Sequence, residues 1–482
     1  MKLKELLRDI RVLEMNADPE LNIESVVYDS RKVTPGCLFA AISGFASDGN
    51  RFIPMAMEKG ASVVVTAKRP EQPVPYVLVD NDRLSLAMLG TNFFGHPARD
   101  LVLVGVTGTN GKTSVTWLLK QVIEKVTGEK SGLIGTMENR IGEEVIPTER
   151  TTPESFDLQA LFARMRSAGC KYCVMEVSSH AIALERVGGV HFDVAAFTNL
   201  SEDHLDFHKT MEAYCDTKAV LFSRCGKAVI NADDSWAARI EKNAACPVLH
   251  TAVEHGDLHA EDIELRADGV SFTATLGALR CPAKLSIPGK FTVSNALTVL
   301  GIAVQLGLPL EAAAAALADA TGVKGRVEVV PTPRMPFTVL IDYAHTPDGL
   351  ENVLSSLRSH CAGRLICVFG CGGDRDPMKR PIMGRIGAEL SDIAIVTSDN
   401  PRSEAPMAII EDVLQGIPEG MGTVHIIENR RQAIRFAMDI AEKNDMIVLA
   451  GKGHETYQEI SGVKYHLDER EEVAAHLLEM RK

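Results

Sequence analysis

Residues 101–114, LVLVGVTGTNGKTS, join an apolar run to a glycine-containing turn. An uninterrupted apolar run of this length is typical of a strand buried on both faces of a parallel sheet. A helical pattern follows the turn, with apolar residues on one face from Val115 to Val126 and Gly128 as the predicted end. Strand, turn and helix in this order predict an α/β domain with a parallel sheet.

The turn predicts a phosphate-binding loop. Its residues are Gly108, Thr109, Asn110, Gly111, Lys112, Thr113 and Ser114. Between a strand and a helix, backbone N–H groups and the helix N-terminus cradle phosphates. We expect Lys112 to neutralise the β- and γ-phosphates of ATP and Thr113 to ligate Mg²⁺. A GTPase would ordinarily carry an NKxD string, which is absent, whereas an ATPase motor stays open from the loop alone.

Composition narrows the class of protein. The 482 residues carry a formal net charge of −13, which disfavours sustained contact with nucleic acid or an anionic membrane. No apolar stretch is long enough to span a membrane and the N-terminus has no signal-peptide pattern, so we expect a cytoplasmic protein without membrane insertion. We also expect a monomer, although no sequence pattern determines the oligomeric state. The ten cysteines are scattered, and we expect them to be reduced thiols.

The chain predicts three domains: 1–98, 99–330 and 331–482. The first boundary follows glycine and proline near residue 95, and the second lies among the prolines of VVPTPRMP at 329–336. Beyond it, TVLIDYA, RLICVFG, IAIVTSD and DMIVLAG are candidate parallel strands, each with polar residues or glycines at its end. Sites in open α/β sheets lie at such carboxyl ends.

Seven further strings resemble the Mur ligase family. They are TTP (151–153), EVSSHA (176–181), FTNLSEDHLDFH (197–208), DYAHTPD (342–348), GCGGDRD (370–376), DNPR (399–402) and GKGHE (451–455). The resemblance spans nearly the whole chain. It implies a UDP-MurNAc-binding domain, a central P-loop parallel-sheet ATPase domain and a C-terminal Rossmann-like α/β domain that receives an amino acid.

The resemblance implies an ATP-dependent ligase that activates a carboxylate as an acyl phosphate. GDRD, DNPR and GKGHE are similar to the members that add meso-diaminopimelate to UDP-MurNAc-L-Ala-D-Glu in peptidoglycan synthesis. Lysine-adding and folylpolyglutamate-synthase-like ligases are the enzyme alternatives, and a phosphate-loop binding module is the non-enzyme alternative. A zinc hydrolase built on His204 and His208 is a further rival, but no third ligand string accompanies the pair.

The resemblance also implies roles for individual residues. The metal ligands and catalytic residues are Thr113, Lys112, Glu176, His204 and Lys218, the last as a carbamate made with CO₂. The further ATP contacts are Asn295, Arg326, Asp342 and His345. The contacts to the nucleotide sugar are Ser30, Thr151, Thr152, Ser178 and Arg186. The contacts to diaminopimelate are Arg375, Asp399, Asn400, Pro401, Arg402, Gly451 and Glu455.

The residues alone do not establish these roles. Taken singly, such residue types are more common as surface or capping residues, and only the resemblance assigns them. At Phe45-Ala46-Ser47 the sequence differs from the His-Gln-Ala of some relatives, which bears on the contacts to uridine diphosphate.

Overall fold

A computed structural model describes residues 1–44, 48–148, 150–266, 268–358 and 361–480. The string Phe45-Ala46-Ser47 lies outside the described residues. The chain divides into two compact units, Met1–Leu258 with Thr298–Ala313 and His259–Leu297 with Ala314–Lys482. The predicted boundaries near residues 98 and 330 stay predictions. Within the described ranges, no helix has the length and apolar character needed to cross a membrane.

The first unit begins with a five-stranded sheet of order β1-β5-β4-β3-β2. Its strands are β1 Val12–Met15, β2 Val26–Val27, β3 Leu38–Ala41, β4 Val63–Thr66 and β5 Tyr76–Val79. Its helices are α1 Leu3–Leu6, α2 Ile53–Glu58 and α3 Asp82–Phe93. All neighbouring strands are parallel except β1 with β5. Strands β3 and β4 are buried at every position, as expected of parallel strands covered on both faces.

A second sheet in the same unit carries the phosphate loop. Its strands are β6 Val102–Thr107, β7 Ser131–Ile134, β8 Asn139–Ile141, β9 Glu144–Ile146, β10 Tyr172–Glu176, β11 Phe192–Phe197, β12 Cys225–Asn231 and β13 Val248–Thr251. In this unit they are ordered β13-β12-β11-β6-β10-β7-β8-β9. Strand β6 is therefore flanked by β10 and β11, both parallel to it. The carboxyl ends of three adjacent strands meet there, at the place where ligands bind in open α/β sheets.

Helix α4, Lys112–Thr127, begins directly at the loop. Its buried residues include Val115, Leu118 and Val122, so the predicted apolar face packs on the sheet. Gly128 ends the helix with φ of 71°, a left-handed conformation that glycine adopts without a steric penalty. The other helices of this sheet are α5 Ser155–Ser167, α6 Ser179–Ala183, α7 Leu205–His208, α8 Met211–Ala219 and α9 Ala237–Glu241.

The second unit is dominated by a six-stranded sheet. Strands β14 Leu258–Arg266, β15 Gly269–Leu276 and β16 Leu279–Leu285 come first in the chain. Two helices, α10 Lys290–Gln305 and α11 Leu310–Asp319, contain the points where the chain divides between units. The sheet then consists of β17 Glu328–Val330, β18 Thr338–Asp342, β19 Leu365–Phe369, β20 Ile393–Val396, β21 Thr423–Ile426 and β22 Met446–Ala450.

This sheet has the order β17-β18-β22-β19-β20-β21, and only β17 is antiparallel. Its helices are α12 Pro347–Arg358, α13 Lys379–Leu390, α14 Pro406–Leu414, α15 Arg430–Asp439 and α16 Glu469–Glu479. A hairpin of β23 Tyr457–Ile460 and β24 Val463–His466 follows β22. The four strands predicted from TVLIDYA, RLICVFG, IAIVTSD and DMIVLAG are β18, β19, β20 and β22. The predicted α/β class with a Rossmann-like C-terminal sheet is confirmed.

Candidate active site

The phosphate loop is held from the side by the segment that follows β11. The Thr109 N–H donates to Asn199 O and the Asn110 N–H donates to Asn199 Oδ1, each at 2.8 Å. The Thr198 hydroxyl donates to Asn110 O at 2.6 Å. These bonds fix the loop conformation, and the N-terminus of α4 offers N–H groups and the positive end of the helix dipole to a phosphate.

Gly108 requires the absence of a side chain. Its φ is 151°, and a Cβ placed on it would lie 1.9 Å from Thr198 Oγ1. Gly111, at the start of α4, also has a positive φ, of 85°. The glycines of the predicted loop therefore permit the close approach of the loop to the segment after β11.

Two lysines converge on one carbonyl of this loop. Lys112 Nζ donates to Gly108 O at 2.9 Å and Lys218 Nζ donates to the same oxygen at 2.8 Å. Lys218 is 1% exposed, and among the described residues no carboxylate forms an ion pair with it. Burial, and secondarily the charge of Lys112, hold the pKa of Lys218 well below its ordinary value. The Tyr214 ring lies 4.5 Å from Lys218 Nζ.

Glu176 is a buried carboxylate at the end of β10 with three donors around it. Thr113 Oγ1 donates to Glu176 Oε2 at 3.0 Å, which joins the carboxylate to the phosphate loop. Thr136 donates through its N–H to Oε1 at 2.8 Å and through its hydroxyl to Oε2 at 3.0 Å. Glu176 is 1% exposed, and these bonds together with its position at the end of β10 fix its side chain.

Four of the five residues predicted to contact the nucleotide sugar lie together beside Glu176. Thr152 is buried, and its hydroxyl donates to Glu176 O at 2.9 Å and accepts the Ser178 N–H at 3.2 Å. Arg186 donates to Thr152 O at 3.2 Å. The Thr136 hydroxyl already donates to Glu176, so the Thr151 hydroxyl donates to Thr136 Oγ1 at 3.0 Å, and the group adjoins the phosphate loop through shared partners.

Ser30, the fifth predicted contact, lies between β2 and β3 of the five-stranded sheet. It begins a 3-10 helix, Ser30–Lys32, and its carbonyl accepts from Lys59 Nζ at 3.1 Å. Within the described part of the chain, Ser30 shares no hydrogen bond with the residues beside Glu176.

His204 belongs to a group of aromatic rings near Lys218. It has a left-handed φ of 54°, its side chain is 47% exposed, and its Nε2 lies 3.3 Å from Asp203 Oδ2. Its ring centroid is 4.8 Å from that of His180 and 6.2 Å from that of Tyr214. His208 is buried and its Nε2 lies 2.9 Å from Ser179 Oγ; burial lowers the pKa of His208 to about 4.

These donors fit Mg²⁺ and do not fit zinc. Among the described residues, no three His, Cys, Asp or Glu side chains gather to hold a metal ion by themselves. Mg²⁺ is usually bound by one or two carboxylates together with substrate phosphates and water, and Glu176 with the Thr113 hydroxyl offers such oxygens beside the phosphate loop. All ten cysteines are free thiols, as predicted.

In the second unit, three of the four remaining predicted ATP contacts lie around Tyr343. The Arg326 guanidinium is 5.1 Å from the Tyr343 ring, and the His345 Nδ1–H donates to Tyr343 O at 2.8 Å. Asp342 is buried and accepts the N–H groups of residues 327 and 344, both at 2.7 Å. Burial raises the pKa of Asp342 and lowers that of His345. Asn295, the fourth, is a buried residue of α10.

The residues predicted to contact the amino acid come together at the carboxyl ends of β19, β20 and β22. Asp399 and Asn400 are buried. Asn400 Nδ2 donates to Glu455 Oε2 at 2.8 Å. A Cβ on Gly451 would lie 2.8 Å from Asp399 Oδ2, and Gly451 has a φ of 113°, so the string GKGHE needs glycine at this position.

Arg402 and Arg375 both approach Gly372. A Cβ on Gly372 would lie 2.9 Å from an Arg402 nitrogen and 3.9 Å from Arg375 Cγ. Arg402 donates to Gly373 O at 2.7 Å, and its Nε lies 3.6 Å from Glu459 Oε2. Pro401 forms the chain between Asn400 and Arg402, and its carbonyl oxygen is 2.0 Å from a Cβ placed on Gly373. A ligand carboxylate would share Arg402 with Glu459.

The sequence analysis did not single out several residues of these sites. Thr136 supplies two of the donors to Glu176, and Asn199 fixes the loop. Lys452 and Glu459 adjoin the predicted amino-acid pocket. Asn199 and Lys452 lie inside strings that were quoted for the resemblance, whereas Thr136 and Glu459 carry no motif signal.

The parallel sheet and the loop after β6 place the chain among phosphate-loop α/β proteins. Comparison with family models identifies which family of this class it belongs to. The Mur ligase middle domain matches residues 106–303, the glutamate ligase domain of Mur ligases matches 325–453, and the catalytic domain of the Mur ligase family matches 22–89. The chain belongs to the Mur ligase family of ATP-dependent ligases. The three matches follow the order of the predicted domains.

Relatives of similar length carry one printed name, UDP-N-acetylmuramoyl-L-alanyl-D-glutamate–2,6-diaminopimelate ligase. One from Clostridium acetobutylicum is 46% identical and one from Caldanaerobacter subterraneus is 47% identical, each over 100% of both chains. A solved structure with the same name is 31% identical, with a TM-score of 0.77 over 100% of this chain and 99% of the other. Membership of the Mur ligase family argues against the non-enzyme alternative, a phosphate-loop module that only binds nucleotide.

Proposed function

We propose that the protein is an ATP-dependent ligase that joins meso-diaminopimelate to UDP-MurNAc-L-Ala-D-Glu. The observation that carries the proposal is whole-chain similarity, at 46–47% identity, to relatives named for this reaction. The site geometry supports it, because Thr113 links the phosphate loop to Glu176 and the predicted nucleotide-sugar contacts adjoin the same carboxylate. A lysine-adding or folylpolyglutamate-synthase-like activity is the second candidate, and no contact favours it.

Joining a carboxylate to an amine in water requires an activated carboxylate. In the proposed reaction, a carboxylate oxygen of the D-Glu residue attacks the γ-phosphorus of ATP, ADP leaves, and an acyl phosphate forms. The amine of diaminopimelate then attacks the acyl carbon, and phosphate leaves through a tetrahedral intermediate. Mg²⁺, when bound, would neutralise phosphate charge during the transfer.

The residues of the first unit would bind and orient the phosphates. Lys112 already lies against the loop carbonyls, from which its ammonium reaches toward the phosphate position. Glu176 and the Thr113 hydroxyl would hold Mg²⁺, with His204 as a further ligand. Thr152, Ser178 and Arg186 would orient the carboxylate-bearing substrate beside them.

We propose that Lys218 carries a carbamate. Its buried amine has a carbonyl and a tyrosine ring as neighbours, and the pKa shift favours the neutral form that reacts with CO₂. Addition of CO₂ to the neutral amine forms a C–N bond and releases one proton, which leaves an anionic carbamate. An anionic oxygen would ligate a second Mg²⁺, whereas an ammonium repels it.

In the second unit, Arg326, Asp342 and His345 would contact ATP, together with Asn295. Arg402 and Arg375 would bind carboxylate groups of the amino acid, and Glu455 would accept hydrogen bonds from its ammonium group. Asp399, Asn400, Pro401 and Gly451 would shape this pocket. We also propose a monomer in the cytoplasm, as expected of the family, with sedimentation velocity as the test of the monomer.

Phosphate release from ATP tests the proposed function. The parent protein is mixed with UDP-MurNAc-L-Ala-D-Glu and, in separate reactions, meso-diaminopimelate, L-lysine or L-glutamate. Phosphate release that depends on both substrates and is greatest with meso-diaminopimelate supports the proposal. Greatest release with L-lysine would establish the lysine-adding activity instead. Release with L-glutamate and a folate, but none with the nucleotide sugar, would establish the folylpolyglutamate-synthase-like activity.

A further inference from the structure

Lys452 is a fully buried lysine beside the predicted amino-acid pocket. It is 0% exposed, and its Nζ donates to Asn400 Oδ1 and to Glu455 Oε2, both at 3.1 Å. The Tyr457 ring lies 5.7 Å from the same nitrogen. Burying an ammonium is costly unless the charge is paired and hydrogen-bonded. Lys452 therefore depends on the two side chains that are predicted to form the pocket.

The bonds from Lys452 determine the orientation of the Asn400 side-chain amide. Asn400 Oδ1 accepts from Lys452 Nζ and from the Glu459 N–H at 2.9 Å. A lysine ammonium and a backbone N–H can only donate, so the oxygen of the amide must face them. The Asn400 Nδ2 is then directed to Glu455 Oε2, at 2.8 Å.

The two carboxylate oxygens of Glu455 differ in the hydrogen bonds that they accept. Oε2 accepts from both Asn400 Nδ2 and Lys452 Nζ. Oε1 accepts no hydrogen bond from the described residues, and the Glu455 side chain is 15% exposed. One oxygen is thus occupied by the protein, and the other keeps its capacity to accept from a ligand.

We propose that Lys452 is a positioning residue that holds Asn400 and Glu455 so that Glu455 presents one oxygen to the ammonium of the incoming amino acid. This inference rests on the proposed function, since the ligand is the amino acid of that reaction. Lys452 also neutralises Glu455 when no amino acid is bound. Without Lys452 the Glu455 carboxylate can turn, and Oε1 loses its fixed direction toward the ligand.

The test compares Lys452→Met with Lys464→Met in steady-state ligation. Lys464 is an exposed lysine whose Nζ lies 4.1 Å from the same Tyr457 ring, which makes it a matched control. In Lys452→Met we expect the KM for meso-diaminopimelate to rise about 10- to 100-fold, the size of effect that misplacement of a positioned group by ~1 Å causes. We expect kcat and the KM for ATP and for the nucleotide sugar to stay within about threefold, and Lys464→Met to match the parent.

A purely structural role gives a different result. It would lower kcat and raise the KM values of all three substrates together, or change nothing once the protein is folded, and either result overturns the proposal. Lys452→Gln, which keeps a donor for Glu455, is the second variant, and we expect a smaller rise in the same KM. If circular dichroism shows that neither variant folds, Lys452 is a structural residue and the proposal is wrong.

Failure of this inference differs from failure of the proposed function. A parent protein without diaminopimelate-dependent phosphate release would refute the proposed function. A parent that uses diaminopimelate, with an unchanged KM in Lys452→Met, would refute only the role of Lys452.

Discussion

Replacing Arg402 with alanine tests how the pocket distinguishes diaminopimelate from lysine, which lacks the second carboxylate. The guanidinium is oriented in advance by its bond to Gly373 O and by Glu459, whose Oε2 is 3.6 Å from Nε. Two charge-assisted hydrogen bonds to a carboxylate would contribute about 3–6 kcal/mol. Because Glu459 shares the charge and the side chain is 22% exposed, we take the lower end. About 3 kcal/mol corresponds to roughly a 100-fold change in kcat/KM.

We therefore expect Arg402→Ala to lower kcat/KM for meso-diaminopimelate about 100-fold and to change kcat/KM for L-lysine by less than about threefold. Arg402→Lys keeps the charge without the planar fork and should fall between parent and Arg402→Ala. Arg385→Ala is the control, since Arg385 is an exposed residue of α13 whose ion pair is with Glu389 of the same helix.

The assay is phosphate release at varied amino-acid concentration, with the other substrates saturating. Equal losses for both amino acids in Arg402→Ala would show that Arg402 does not recognise the second carboxylate. Comparable kcat/KM for lysine and diaminopimelate in the parent would refute the substrate assignment and leave the ligase assignment standing.

Three further outcomes are expected. Lys112→Ala should abolish ATP-dependent ligation while the far-ultraviolet circular dichroism stays that of the parent, because Lys112 acts on transferred charge; near-parental turnover would refute the loop assignment. Lys218→Ala should lose most activity and regain part of it with added short carboxylic acids, which supply an anionic oxygen; activity equal to the parent in CO₂-equilibrated buffer would refute the carbamate. Gly451→Ala should raise the KM for diaminopimelate, because its Cβ would lie 2.8 Å from Asp399 Oδ2 and its φ of 113° disfavours a side chain; an unchanged KM with parental melting temperature would contradict this.

Much of the fold follows from apolar runs that are buried on both faces. Such runs predicted β6 and four strands of the C-terminal sheet, β18, β19, β20 and β22, because parallel strands under helices carry few polar residues. The antiparallel segments were not predicted. Strand β16 alternates exposed and buried residues, β15 mixes buried and half-buried ones, and such short patterns are shared with loops and helices. The order of the strands in each sheet was not predicted either, because no local sequence pattern specifies which strands are neighbours.

The phosphate loop was predicted from its residues, whereas the hydrogen-bond partners of Glu176, the carboxylate beside it, were not. Gly108, Lys112 and Thr113 lie within six consecutive residues, and their spacing alone indicates phosphate binding. Thr136 lies 40 residues before Glu176 and reaches it only because β7 pairs with β10. A threonine without a motif cannot be distinguished from a surface residue until the sheet is known. Resemblance supplied the expected roles of Glu176 and Lys218, which the residues alone did not.

The charge of the whole chain gives little guide to its ligand, and the phosphate site explains why. The protein has a formal net charge of −13, yet Lys112 and Lys218 donate to the same carbonyl of Gly108. The Lys112 ammonium beside this oxygen makes a local field that attracts phosphate regardless of distant carboxylates, which solvent and salt screen. A carbamate on Lys218 would add a negative charge at the same carbonyl. The balance of charge at this carbonyl, rather than that of the chain, then determines whether the site prefers a bare phosphate or a phosphate accompanied by metal ions.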